Sequence, residues 1–130
     1  MNKSGKYLLL FFFAVYVLPA FAQNKKIDSL LNVLKATDGD CPEPCLEDTN
    51  KINNLNLLAS EYVSLGYYDT ALHYCNLAVE TIKQLSDLEE SVSDRLLGSA
   101  YNHTGAAYNN RGDYPIALNY YEQALDLRKK

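Results

Sequence analysis

The sequence predicts an all-α fold of antiparallel helix pairs stacked in series, and three observations carry that prediction. The chain repeats itself: Leu58, Ala59, Tyr62, Gly66, Tyr68, Ala71, Cys75 and Ala78 are answered 46 residues later by Thr104, Gly105, Tyr108, Gly112, Tyr114, Ala117, Tyr121 and Ala124. Self-similarity at a fixed period of roughly 20–50 residues marks stacked supersecondary units. Within each copy apolar residues recur at helical spacing, and small residues recur where two helices would have to approach closely. A glycine then interrupts each copy, at Gly66 and at Gly112, where it can close a helix in a left-handed conformation at little cost.

The elements follow in order. Lys3 and Lys6 precede an apolar run from Tyr7 to Leu18 that closes in Ala20-Phe21-Ala22, the basic start, apolar centre and small-x-small end of a signal peptide. The run is about a dozen residues, short of the roughly 20 that a spanning helix needs, which favours a cleaved leader over an anchor. Cleavage after Ala22 would leave Gln23 first and send the protein out of the cytoplasm, periplasmic or secreted. Ile27, Leu30, Leu31 and Leu34 fall at i, i+3, i+4 and i+7 and predict a short amphipathic helix from about Lys26 to Lys35, lying on the first repeat. Ala36 to Asn50 loses all periodicity, collects Asp38-Gly39-Asp40, two prolines and two cysteines, and reads as a loop.

Thr49 or Asn50 can cap the first helix of repeat one, which should run to Leu65. Asp69 or its neighbours open the second, which carries Ala71, Tyr74, Cys75 and Ala78 inward and continues to about Leu88. Ser91-Val92-Ser93-Asp94 has the character of a capping box and opens the first helix of repeat two, expected to reach about Asn110. Asp113 can cap the last helix, with Pro115 in its first turn, where a missing N–H costs little. The expected organisation is a signal peptide at 1–22, a leading helix and cysteine-containing loop at 23–50, and repeats at 51–90 and 91–130. That makes about five helices after the leader.

These residues resemble the tetratricopeptide repeat, from Ile52 to Lys130. The second copy is the closer: Tyr101 takes the large aromatic position, and Gly105, Tyr108, Gly112, Asp113, Tyr114, Ala117, Tyr121 and Ala124 follow in register. In the first copy Ala59 replaces the small glycine and Cys75 an aromatic, and Lys83 and Lys129 stand where each copy would close on proline. The resemblance implies a short right-handed superhelix, a solenoid whose work is protein or peptide binding. Its usual period is 34 residues, so the 46-residue spacing is longer by 12. Six extra residues on each of two facing helices lengthen both by roughly 9 Å, and Val79, Ile82, Leu85, Val92, Leu96 and Leu97 supply apolar residues there, so an elongated helix pair is expected. The stretch from Gly112 to Leu125, with the leader, also looks like longer-period arrays in the exported sensory segments of some bacterial histidine kinases and regulators. Each repeat normally buries a face against the next, so two copies also leave room for self-association through the last helix.

In that family the first helix of each pair lines the binding groove. The same register here gives Asn53, Asn56, Ser60, Val63 and Ser64, then Ser99, Asn102, Ala106, Asn109 and Asn110. Amides and hydroxyls dominate, and asparagine offers both a donor and an acceptor to an extended peptide backbone. The family's carboxylate-gripping subclass needs lysine and arginine in this register, and there are none, so that ligand is not expected.

The whole chain has 12 basic and 16 acidic residues. Losing Lys3 and Lys6 with the leader makes the balance more acidic still. Lys25-Lys26 and Arg128-Lys129-Lys130 are too short and too near the ends to track phosphates, so nucleic acid is not an expected partner. Nine of the 11 tyrosines lie at or beyond Tyr62, and packing between helices explains them. Cys41-Pro42-Glu43-Pro44-Cys45 can close a local disulfide in an oxidising compartment, with two free thiols as the other reading. Cys75, facing inward, reads as a buried small residue. His73 and His103 stand apart from any cysteine or carboxylate pattern. No phosphate loop, nucleophile elbow or metal-ligand spacing occurs, so neither an enzyme nor a cofactor is expected.

Overall fold

The computed structural model describes residues 18–36 and 46–129, and side chains for 24–36 and 48–129. Most of the expected leader lies outside these residues, as do Cys41 and Cys45. The described chain forms five helices: α1 (Leu18–Ala36), α2 (Leu46–Ser64), α3 (Tyr68–Gln84), α4 (Glu90–Arg111) and α5 (Tyr114–Arg128). Each of α2, α3 and α4 packs on the helix that follows it, α1 lies on α2, and α2 also touches α4. The result is a series of antiparallel pairs, as the repeat predicts.

Two identical turns set the pairs. Gly66 sits at φ +81° and Gly112 at φ +91°, a conformation that side chains resist and glycine adopts freely. Around the first, the Gly66 N–H donates to the Val63 carbonyl and Tyr67 N–H to that of Tyr62; around the second, Gly112 donates to Asn109 and Asp113 to Tyr108. The last carbonyls of α2 and α4 are thereby satisfied in the same way, 46 residues apart.

Small residues decide how closely each pair packs. Ala71 and Ala78 of α3 and Ala117 and Ala124 of α5 are all buried. A Cβ built on Gly105 would lie 2.8 Å from two carbons of the Tyr121 ring and 3.2 Å from the Ala117 carbonyl oxygen, so α4 and α5 touch there only because the side chain is absent. In the first copy the same two places hold Ala59 and Cys75, both fully buried. One helix gains a methyl group and the other exchanges a phenol ring for a small thiol. The two copies therefore reach close contact by compensating volumes.

A buried cluster joins Ile52 and Leu55 of α2, Ala78 and Ile82 of α3, and Leu96 and Ala100 of α4. Val79, Leu85, Leu88, Val92 and Leu97 pack around it, so the apolar residues of the extra length are core. The elongation is divided unequally, with 17 residues in α3 and 22 in α4.

Several boundaries differ from the sequence reading, each for a local reason. α1 starts at Leu18, eight residues before Lys26, because Pro19 falls in its first turn and nothing breaks the helix afterwards. α2 starts at Leu46 and takes in residues assigned to the loop, since no glycine or proline lies between there and Gly66. α3 stops at Gln84 instead of about Leu88. Leu85 turns to an extended conformation, which lets Leu85 and Leu88 fold onto the core. α4 begins at Glu90, and no capping box forms: its cap position is Glu89, whose carboxylate accepts from the Ser91 hydroxyl at 2.9 Å. Asp113 occupies the cap position of α5 without a side-chain capping bond, because its carboxylate pairs with Arg111 Nε at 3.3 Å.

Gly105→Leu should lower stability by about 1–3 kcal/mol through overpacking, read as a fall in Tm. Gly105→Ala should cost less when combined with Tyr121→Cys, which reproduces the first-copy pair, than when made alone; a double-mutant cycle without that coupling would refute the compensation.

Candidate partner-binding surface

The first helices of the two pairs, α2 and α4, run side by side and are tied directly. Asn56 Nδ2 donates to the Leu96 carbonyl at 3.3 Å, and Asn56 is only 4% exposed. The geometry therefore makes Asn56 a buried link between repeats and removes it from the solvent-facing groove where the register placed it. Its Oδ1 has no hydrogen-bond partner. The link is a compromise in which one half of the amide is satisfied.

The other groove candidates divide by exposure. Ser64, Asn109 and Asn110 are exposed near the glycine turns, and the Ser64 hydroxyl donates back to the Glu61 carbonyl at 2.7 Å. Asn53, Ser60, Val63, Ser99, Asn102 and Ala106 are half-buried. Asn53 and Ser99 come together in a cleft of about 810 Å³ where α2 meets the start of α4 and the end of α5. The same cleft holds Glu89, Glu90, Asp94, Arg95 and Arg128, charged residues outside the groove register. Mixed charge rather than neutral amides characterises that end.

Tyrosines organise both pairs. Tyr62 of α2 stacks on Tyr74 of α3 with ring centroids 5.5 Å apart and planes 6° off parallel; Tyr108 of α4 stacks on Tyr120 of α5 at 5.8 Å and 4°. Each ring of the first stack has its equivalent in the second 46 residues later, so the stack is part of the repeat. Arg111 lies 5.6 Å from the Tyr108 ring centroid, a cation–π contact, and its guanidinium also reaches Asp69 at 3.0 Å across the two turns. Burial, followed by the stacked partner, raises the Tyr74 and Tyr120 phenols above their ordinary value of 10.0. Both remain protonated and able to donate.

Cys75 is buried as its spacing implied. Burial pushes its thiol up to about 11, while a hydrogen bond with Thr104 of α4 acts in the opposite direction. A thiol held protonated in that way has little nucleophilic character. Among the described residues no group of three or more histidines, cysteines or carboxylates could hold a metal ion, and no helix is long and apolar enough to cross a membrane.

Stacked helix pairs joined by tight turns, with long faces left open and without a catalytic cluster among the described residues, define a helical-repeat scaffold. The chain belongs to the tetratricopeptide repeat family: residues 52–85 and 97–130 each match a family model of the tetratricopeptide repeat, together more than half of its length. Residues 86–96, between the two matches, hold the end of the α3–α4 turn and the first residues of α4, where the extra length of the period lies. Neither a curated protein nor a solved structure matches the chain.

His103 supplies a pH test of the α4–α5 contact. Burial, and next the charge of Arg128, hold its imidazolium form below the ordinary 6.5. The unfolded chain takes up that proton first, so this contribution to stability is full above pH 6.5 and is lost as the pH falls through the depressed folded value. His103→Gln should shrink the drop in Tm between about pH 7.5 and about pH 5.5; an unchanged drop would show that His103 does not contribute.

Proposed function

We propose that the protein is an exported, non-catalytic scaffold that holds a protein or peptide partner along the first helices of its repeats, α2 and α4. The observation that carries this reading is the tetratricopeptide match over two stacked pairs whose exposed Ser64, Asn109 and Asn110 offer neutral donors and acceptors. Such groups suit the peptide unit of an extended segment. The leader motif supports export, and cleavage after Ala22 would shorten α1 to 23–36.

A second reading makes this chain the sensory segment of a longer signal-transducing histidine kinase or transcriptional regulator. The Gly112–Leu125 stretch favours it by resemblance, and the reading frame past Lys130 decides it: a spanning helix and a kinase core would establish it. Self-association through α5 is compatible with either. Leu118 and Leu125 are 58% and 51% exposed, whereas their first-copy counterparts Leu72 and Val79 are half-buried.

Photocrosslinking groups at Ser64 and Asn109 should trap a discrete protein adduct in the producing cell, and N-terminal sequencing of the exported protein should begin at Gln23. Absence of an adduct from both positions would count against the groove; an intact Met1 on exported protein would exclude the leader. Light scattering should show dimer at high concentration that Leu118→Asp with Leu125→Asp returns to monomer, and a wild-type monomer there would eliminate self-association.

A further inference from the structure

The chain has 16 acidic and 12 basic residues, yet a cleft of about 620 Å³ between α3 and α5 is lined without a carboxylate. Its floor is formed by Tyr101 and Thr104 of α4, and its one charged lining residue is Lys83. Asn76 of α3 faces into it from one wall, Asn119 and Gln123 of α5 from the other. Gln123 Nε2 donates to Asn119 Oδ1, so Asn119 Nδ2 and Gln123 Oε1 present a donor beside an acceptor, the pattern of a peptide unit.

The first copy has a corresponding cleft of about 550 Å³ with a different lining. That space over α2, between α1 and α3, is lined by five leucines together with Lys35, Asp48, Lys51, Thr81 and Gln84, with Leu55 in the place of Tyr101 and Leu77 in the place of Gln123. The second copy has exchanged those leucines for a phenol and an amide while keeping the tyrosine of the stack, Tyr74 in one and Tyr120 in the other. Both walls run opposite to α4, so Pro115 and Ile116 mark an apolar end and Lys83 a cationic one. The stretch from Asn76 to Lys83 covers about 10 Å of helix, room for three to four residues of extended chain.

We propose that the cleft between α3 and α5 binds a short extended acidic peptide segment, with an apolar side chain against Pro115 and Ile116 and a carboxylate at Lys83. The proposal rests on the peptide-binding reading of the fold and moves the contact from the first helices of the pairs to the second. Electrostatic complementarity selects the acidic segment, and the paired amides orient its backbone.

The full 130-residue chain, labelled with nitrogen-15, is titrated to millimolar concentration with acetyl-Leu-Ala-Ser-Glu-amide and with its glutamine counterpart. The expected result is a set of shifts on the side-chain amides of Asn76, Asn119 and Gln123, with affinity for the glutamine probe lower by roughly fivefold. Lys83→Gln should weaken the glutamate probe by the same factor and leave the glutamine probe unaffected, and Asn109→Ala should change neither. No shift at millimolar probe, equal affinity for the two probes, or indifference to Lys83→Gln would overturn the proposal. Binding lost in Asn109→Ala but kept in Lys83→Gln would overturn it while leaving the groove on α2 and α4 in place.

Discussion

Close approach of the two helices within each pair is the constraint on which the remaining structure depends. At Gly105 no room exists for even one additional carbon, since a Cβ there would sit 2.8 Å from the Tyr121 ring. That separation lets Tyr108 stack on Tyr120 and Tyr62 on Tyr74, and it positions the glycine turns that close α2 and α4. It also explains why the copies differ in two places together. An alanine opposite a tyrosine would be overpacked and a glycine opposite a cysteine would leave a void, and either mismatch is destabilising in a core packed at crystal-like density.

Most of the scaffold could be read from the residues because its signals are local and repeated. Glycines at 66 and 112 announce turns by their conformational freedom, and alanines at 71, 78, 117 and 124 announce buried contacts by their size. The apolar residues flanking the α3–α4 turn correctly foretold an extended core. Helix starts were less legible. Ser91 and Asp113 have the chemistry of caps, but each found a different partner, Glu89 in one case and Arg111 in the other. Such side-chain competition depends on neighbours that sequence spacing does not fix.

The candidate binding surface was legible only as a face. Register placed Asn56 beside Asn53 and Ser60, and nothing in its type distinguishes an amide that meets solvent from one that meets the Leu96 carbonyl. Its counterpart Asn102 is half-buried. The cleft between α3 and α5 escaped notice for a related reason. Asn76, Val79 and Lys83 form a helical stripe that could belong to any solvated face, and Asn119 and Gln123 form another. Their convergence over Tyr101 is a property of the stacking. Comparing the copies position by position, Leu55 with Tyr101 and Leu77 with Gln123, is the sequence signal that points there.

The two edges of the array are held together by unlike means. At the α3–α4 turn, leucines and isoleucines from three helices weld the repeats through buried apolar surface. At the glycine edge the repeats meet through Arg111 and Asp69, an ion pair whose aspartate is 94% exposed, and such exposed pairs contribute about 0–1 kcal/mol. Mechanically this is a book bound along one spine. Opening the leucine edge would expose buried apolar surface, whereas splaying the glycine edge, where Ser64, Asn109 and Asn110 lie, would first part an exposed ion pair. Widening the gap between the two rows of polar side chains would therefore break an exposed ion pair before it disturbed that core.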